Sequence, residues 1–372
     1  MKIVISTFLL MLVTYLAFWP VSVEPVAWSA PKNQGFTGSF KSNQFLDHIE
    51  VTPLEGHEGP EAIVMDKQGT LYTATHDGWI LKNKGDSWKE WVNTEGRPLG
   101  LAIDKDGSLV AADAFRGLLR INQDKQITLL SNSVNSSKIR YANDLDIASD
   151  GSVYFTDSST KFGAKENGGT YPASLLDLNE HGGHGRLLKY VPATGETSLL
   201  LDQLNYANGV ALDPQENFLL VNETGSYRVL KFWLKGDKEG TADVLIDNLP
   251  GFPDNISTGQ NGRFWLGLPS PRSPILDKLS GSVELRKVIQ RLPAFVRPKA
   301  VPYGHVVALD KDGKVLMSLQ DPEGAYPITT GVLETSDKLY ISSLVFDSVG
   351  YLEKSHIRSL IHKSMGPDSI EN

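Results

Sequence analysis

Residues 143–157 read NDLDIASDGSVYFTD: an alternating apolar run, a polar turn closed by Gly151, and a second alternating run, which is the pattern of a β-hairpin. The same unit recurs upstream as EAIVMDKQGTLYTAT (61–75) and LGLAIDKDGSLVAAD (99–113), and downstream as NGVALDPQENFLLVN (208–222) and DNISTGQNGRFWLGL (254–268). In each copy the turn position lies eight residues after the first, at Gly69, Gly107, Gly151, Glu216 and Gly262. A sixth, weaker copy is GVLETSDKLYISSL (331–344), where Leu339 and Tyr340 match Leu71 and Tyr72.

Behind each of the first five hairpins comes a second, such as GWILKNKGDSWKEWV, GLLRINQDKQITLL and GHVVALDKDGKVLMSL. Two hairpins per unit make a four-stranded sheet, and such sheets repeated radially are the blades of a propeller. The repeats therefore predict an all-β, six-bladed β-propeller over residues 44–354. The sixth unit has only about one more strand, VGYLEK, so the strand-like QFLDHIEVTP (44–53) is expected to complete it and remove an open sheet edge. Two blades carry long insertions, 158–185 and 269–303, which should overhang the channel mouth marked by Glu61. In the second, Leu285, Val288, Ile289 and Leu292 fall at helical spacing with basic residues between them. Two readings stand for it: a lid helix packed on the propeller, or a helix in contact with a membrane surface.

With 36 basic and 44 acidic residues the formal charge is −8, which disfavours a nucleic-acid partner. The chain has no cysteine, which excludes disulfides, thiolate metal sites and a cysteine nucleophile. Outside the repeats, Ile3–Trp19 is uncharged, follows Lys2 and ends at Pro20. Residues 1–20 read as a membrane anchor or a signal segment, 21–43 as a linker and 355–372 as a tail. The only small-x-small pair downstream, Ala27-Trp28-Ser29, is a poor cleavage site, which favours an anchor with the propeller outside the cytoplasm; a secreted or periplasmic product is the alternative.

Aligning the repeats ranks the first residue of every inner strand around the channel: Glu61, Leu99, Asn143, Asn208, Asp254 and, approximately, Thr329. Four of the six offer a side-chain oxygen. Asn and Asp often start strands because they cap turns, but two carboxylates facing one another across an apolar channel are costly without a cation. Oxygen ligands of this kind suit one calcium ion, with Asn255 and Asp144 as further ligands or supports, while the lack of His or Cys in the ring disfavours zinc. Asp254 is the expected proton acceptor and Asn143 a further catalytic group. Arg97, in GRPLG, is placed to orient an anionic substrate. His181 and His184, in the first insertion, are either solvated loop residues or an acid or base at the mouth, and His305 reads as structural. There is no G-x-S-x-G, Walker or dinucleotide-binding glycine loop.

The segments GRPLGLAI (96–103), YANDLDIASDGSVYFTDSSTKF (141–162), GRLLKYVPATGETSLLLDQLNYANGVAL (185–212) and LPGFPDNISTGQNGRFWLGL (249–268) resemble the strictosidine synthase-like family, in particular its adipocyte plasma membrane-associated protein branch. The likeness runs from about Gly59 to Leu352. It implies a six-bladed propeller related to paraoxonases and gluconolactonases, which are calcium-dependent hydrolases of lactones and esters. It also implies an uncleaved membrane anchor and an activity of the arylesterase kind. By motif, the family's metal ligands fall on Glu61 in GPEAI, Asn143 in YANDL, Asn208 in ANGVAL, and Asp254 with Asn255 in FPDNI. Two departures follow from the same likeness. The plant synthase has a glutamate near the start of its sixth blade, where this chain has Thr329-Thr330-Gly331 and no carboxylate before Glu334. Paraoxonases have a ring histidine where this chain has Leu99. The expected function is thus a calcium-dependent ester or lactone hydrolase acting on a small molecule, not an alkaloid synthase. The alternative is a non-catalytic, calcium-stabilised propeller that binds a partner through its lid face.

Overall fold

The computed structural model describes residues 2–85, 87–357 and 359, so of the expected tail only 355–357 and 359 fall within it. Six four-stranded antiparallel sheets follow one another along the chain. The third, for example, runs Ala142–Ile147, Val153–Asp157, Gly185–Val191 and Glu196–Leu204 in simple up-and-down order. Its turn is built as the repeat predicts: Gly151 takes φ 86°, and Asp150 Oδ1 accepts the Ser152 amide at 2.8 Å. The fourth blade has Glu216 at that position, and it adopts the same left-handed conformation with φ 55°, which strains a residue bearing a Cβ.

The sixth blade closes as expected. Strand Glu50–Pro53 pairs antiparallel with Ser348–Glu353, with Glu50 opposite Tyr351 and Pro53 opposite Ser348. The apolar core is not one mass: six layers are each built from two neighbouring blades, and a smaller cluster around Leu99, Tyr141 and Tyr206 lies under the first insertion. Val110 and Leu118 of blade two, for instance, pack on Leu145, Val153 and Phe155 of blade three. Each fully buried aliphatic or aromatic side chain contributes about 1.5–3 kcal/mol. The layer between blades six and one is the thinnest, with six buried apolar residues where the others have ten to twelve.

The innermost strands bulge where they reach the channel. In blade three, Ala142 pairs with Asp157 and Leu145 with Phe155, so Asn143 and Asp144 stand opposite the single residue Thr156. Asn208 and Gly209 make the same two-against-one step in blade four, and Thr330 and Gly331 in blade six. A bulge re-aims side chains that a regular strand would bury in the sheet. It also corrects the ring: the position equivalent to Asn143 in blade six is Thr330, one residue later than expected. Thr329 instead holds the neighbouring blade, its Oγ1 donating to the His305 carbonyl at 3.0 Å.

Both insertions sit over the Glu61 mouth and carry helices. The first folds into α2 (Thr170–Glu180), a helix with no counterpart in the sequence expectation; the second holds α3 (Pro274–Lys278) and α4 (Val283–Arg291). Helix α4 buries its aliphatic stripe only in part: Val288, Ile289 and Leu292 are half-buried. Its buried residues are Arg286 and Arg291, while Leu285 is 51% exposed. Arg286 donates to the carbonyls of Asn179, Ser280 and Val26, and so ties α2, α4 and the N-terminal segment together. Segment 21–43, expected as a linker, runs as an extended strap across the insertions. Its Val26 and Trp28 amides donate to the carbonyls of Glu180 (2.8 Å) and Ser280 (3.1 Å), and Trp28 stacks on His181 at 4.0 Å.

Preceding the strap, α1 (Lys2–Phe18) is an apolar helix with none of its residues buried. Arg291 of α4 caps its C-terminal end, Nε and Nη1 donating to the carbonyls of Trp19 and Leu16 at 2.6 and 2.8 Å. Its 17 residues rise roughly 25 Å, against a hydrocarbon core of ~30 Å. Among the described residues no helix is long and apolar enough to cross a membrane.

Candidate metal centre

In blades two, three and four a buried carboxylate holds the loop that leads to the ring position. At the end of the second strand of blades two, three and four stand Asp113, Asp157 and Glu223. They accept the backbone amides of Arg97 (3.0 Å), Tyr141 (2.8 Å) and Asn205 (2.9 Å), each two or three residues before the ring position. Four ring residues, Glu61, Asn143, Asn208 and Asp254, then converge on the floor of one cavity. Its walls are apolar: Leu175 and Leu178 from α2, Leu276 from α3, Phe252, Ile328 and Leu344. A concave, mostly apolar cavity with a cluster of polar groups at its base is the form of a small-molecule site.

The hydrogen bonds fix which way the floor amides point. Ser158 Oγ donates to the Ala207 carbonyl at 2.7 Å, so it accepts from Asn143 Nδ2 at 2.9 Å, and the Asn143 amide oxygen is left turned away from its only partner. The Asn208 side chain favours the charged form of the Asp254 carboxyl. The side-chain oxygens of Asn143 and Asn208 are both buried and accept no hydrogen bond. An unpaired buried acceptor costs about 1–3 kcal/mol, and here two occur beside two buried carboxylates. Burial raises both carboxyls above the ordinary range. The neighbouring charge of Glu61 pushes Asp254 further, while Arg97 draws Glu61 back down. Four oxygen donors, two anionic and two neutral with free lone pairs, fit a hard divalent cation of calcium's type. Among the described residues no three His, Cys, Asp or Glu side chains come together. The ring reaches four donors only because amides complete it.

The remaining expected residues are distributed differently. Arg97 does not line the cavity; its guanidinium is buried and Nη2 donates to Glu61 Oε2 at 2.7 Å. It positions a ring carboxylate rather than meeting a substrate. Asn255 lies on the other side of the ring, in the lower channel, and its Nδ2 donates to the Glu61 carbonyl at 3.0 Å. Asp144 shares that lower channel and spans two blades by accepting the Val210 amide at 3.0 Å; burial pushes its carboxyl up to about 8. Leu99 is buried against Tyr141 and Tyr206. His184 is drawn away from the mouth by Glu180, at 2.6 Å, and His181 is covered by Trp28. His305 is buried with Nε2 on Ser318 Oγ at 2.9 Å, and burial lowers it to about 3. No histidine is among the cavity-lining residues.

Two lining residues had escaped notice. Tyr206 Oη donates to Tyr141 Oη at 2.6 Å, and Tyr141 Oη to the Thr170 carbonyl at 2.9 Å, a hydroxyl chain just above the floor. The signal was present as a repeated tripeptide, Tyr141-Ala-Asn143 and Tyr206-Ala-Asn208, with Phe252 two residues before Asp254 in the same place.

Residues 143–237 match the strictosidine synthase family model, and residues 38–82 match the model of the strictosidine synthase-like N-terminal region. The adipocyte plasma membrane-associated protein of Bos taurus is 35% identical over 351 residues, covering 87% of this chain and 82% of its own. The strictosidine synthase-like protein 3 of Arabidopsis thaliana is 32% identical over 337 residues, covering 82% and 84%. Among solved structures, a gluconolactonase from Xanthomonas campestris superposes with a TM-score of 0.61 at 18% identity, covering 89% of this chain and 98% of that one. A calcium-binding protein, regucalcin, from Agrobacterium tumefaciens gives 0.56 at 14% identity, covering 82% and 93%. At these identities the structural likeness is one of fold.

Proposed function

Since this chain belongs to the strictosidine synthase-like family, we propose that it is a calcium-dependent hydrolase of carboxylic esters or lactones, with its site at the floor of the upper cavity. The observation that carries this reading is the pair of unpaired, buried amide oxygens of Asn143 and Asn208 beside Glu61 and Asp254. Those four side chains would hold the calcium ion. When bound there, it supplies a Lewis acid for a carbonyl oxygen and lowers the pKa of a water. Arg97 holds Glu61 in its ring position, and Asn255 and Thr330 hold the Glu61 backbone by hydrogen bonds to its carbonyl of 3.0 and 2.9 Å. Of the two cavity carboxylates, Glu61 is paired with Arg97, which leaves Asp254 to take a proton from water. Tyr141 and Tyr206 offer hydroxyls to a substrate, and the leucine walls of α2 and α3 exclude water from an apolar acyl or aryl group. Helix α1 is proposed as the membrane anchor, with the propeller on the extracytoplasmic side; the membrane-associated animal relatives support this.

Alkaloid condensation is not proposed. Glu334, the first carboxylate of blade six, is held by Lys354 Nζ and Trp265 Nε1, each at 2.8 Å, and does not line the cavity. A second reading, a non-catalytic calcium-stabilised propeller that binds a partner through its lid face, is favoured by one observation: the cavity lining offers no histidine as a base. The full chain, assayed on aryl acetates and on lactones with and without a calcium chelator, separates the two. Hydrolysis is expected to be chelator-sensitive and to fall roughly 10²-fold or more in Asn143→Ala. Calcium that raises the melting temperature with no turnover on any ester would replace the first reading by the second.

A further inference from the structure

Helix α4 buries Arg286 and Arg291 rather than its aliphatic side chains: Leu285 is exposed, and Val283, Val288 and Ile289 are half-buried. The exposed apolar side chains of the propeller proper, such as Val51, Leu129 and Val244, are scattered singly over different blades. In the second insertion they gather. Ile275, Leu285, Phe295, Val296 and Val301 are all at least half exposed within 27 residues. Phe295, 78% exposed, is the one exposed phenylalanine outside α1 among the described residues. An apolar patch of this kind marks a surface that something covers.

Three features of the molecule identify the cover as a lipid bilayer. Helix α1, apolar and unburied along its whole length, grows directly out of this insertion, since Arg291 caps its C-terminal end and Tyr15 Oη donates to the Arg291 carbonyl at 3.0 Å. The charge of the insertion opposes that of the protein: residues 269–303 contain seven basic and two acidic side chains in a chain of net −8. Arg272, Arg286 and Arg291 are buried and Lys287 is paired with Glu284 at 3.0 Å, which leaves Lys278, Arg297 and Lys299 for an anionic surface. Finally, the patch borders the cavity mouth, because Pro298, Lys299 and Ala300, directly after Phe295 and Val296, line it.

We infer that the lid face rests on an anionic bilayer, with Phe295, Val296 and Leu285 in its interface, so that the cavity opens onto lipid and draws its substrate from the membrane. Its substrate part rests on the hydrolase reading, which it narrows to lipophilic esters or lactones dissolved in the bilayer, in keeping with the leucine walls of the cavity.

The chain has no cysteine, so single labelled positions test this directly. Full-length Phe295→Cys, Val301→Cys, Phe8→Cys and Lys67→Cys would each carry an environment-sensitive fluorophore in vesicles of phosphatidylcholine and phosphatidylserine. The quencher is a spin-labelled phosphatidylcholine. Labels at 295 and 301 are expected to shift to the blue and lose fluorescence to the lipid-borne quencher, while the label at 67, on the opposite face, keeps it and is quenched by iodide. If 295 and 301 stay open to iodide and silent to the lipid quencher, the inference is overturned and the patch belongs to a protein partner. The label at position 8 reports the anchor separately: quenching there without quenching at 295 sinks this inference alone, and quenching at 295 supports it whatever position 8 shows.

Discussion

At the ring, Arg97 and Glu61 form an ion pair with both side chains almost fully buried, and such a pair matters most when one partner is removed. Without a bound cation, Arg97→Met leaves two buried carboxylates and no positive charge between them. The expected loss is about 3–5 kcal/mol in chelator and clearly less in calcium; thermal melts in the two conditions read the difference, and equal losses would count against the ring as a cation site. His305 gives a second prediction. Burial lowers it from the ordinary 6.5 to about 3, so the folded state holds it neutral and its contribution is fully present above pH 6.5. That contribution is lost as pH falls from about 6.5 towards 3, at up to ~1.4 kcal/mol per pH unit. His305→Gln should flatten the fall in melting temperature across that window; an unchanged slope would mean the imidazole is protonated in the native fold. Residue identities revealed the ring because four oxygens recur at one repeat position. They could not reveal that Arg97 serves Glu61 rather than a substrate, because that depends on where the guanidinium lies between two blades.

Among the elements, hairpins were readable and helices much less so. A strand pair with a fixed turn offset, repeated six times, has a period that local sequence carries in full. Helix α2 lacks such a signal: it follows Gly168-Gly169, ends at His181 in the left-handed conformation, and buries Asp177, Asn179 and Glu180 along with Ala173. Its position is set by the strap and by Arg286, contacts more than a hundred residues away in sequence. Helix α4 is visible in its period, but its most deeply buried residues are not its aliphatic ones. The apolar stripe correctly marked a helix; arginines that satisfy backbone carbonyls take the deepest positions. The strap carries no periodicity at all. It reads as a linker until its amides are seen bonding to Glu180 and Ser280, where it locks the two insertions into a single roof.

Taken whole, the molecule is a ring of six equivalent interfaces of which one is weak. The layer between blades six and one is the thinnest, and blade six is finished by a strand from the far end of the chain. A full chain with Val51→Pro and Thr52→Pro, which removes two backbone donors from the closing strand, should unfold at a lower temperature or aggregate through the exposed edge of Ser348–Glu353. A melting temperature unchanged within error would show that closure adds nothing to stability. The closing strand was foreseeable from a deficit, one strand missing from the last repeat and one spare before the first.

That same strand has a consequence for how the protein comes into being. Glu50 and Tyr351 are 301 residues apart, so the first strand to leave the ribosome waits for the last. At ~5–20 residues per second, the delay is on the order of 15–60 s. During that time blades one to five can stack behind one another while the circle stays open. Birth of this protein is therefore a race between closure and capture of an unpaired edge, and a quality-control factor recognising a free strand would have its longest opportunity here.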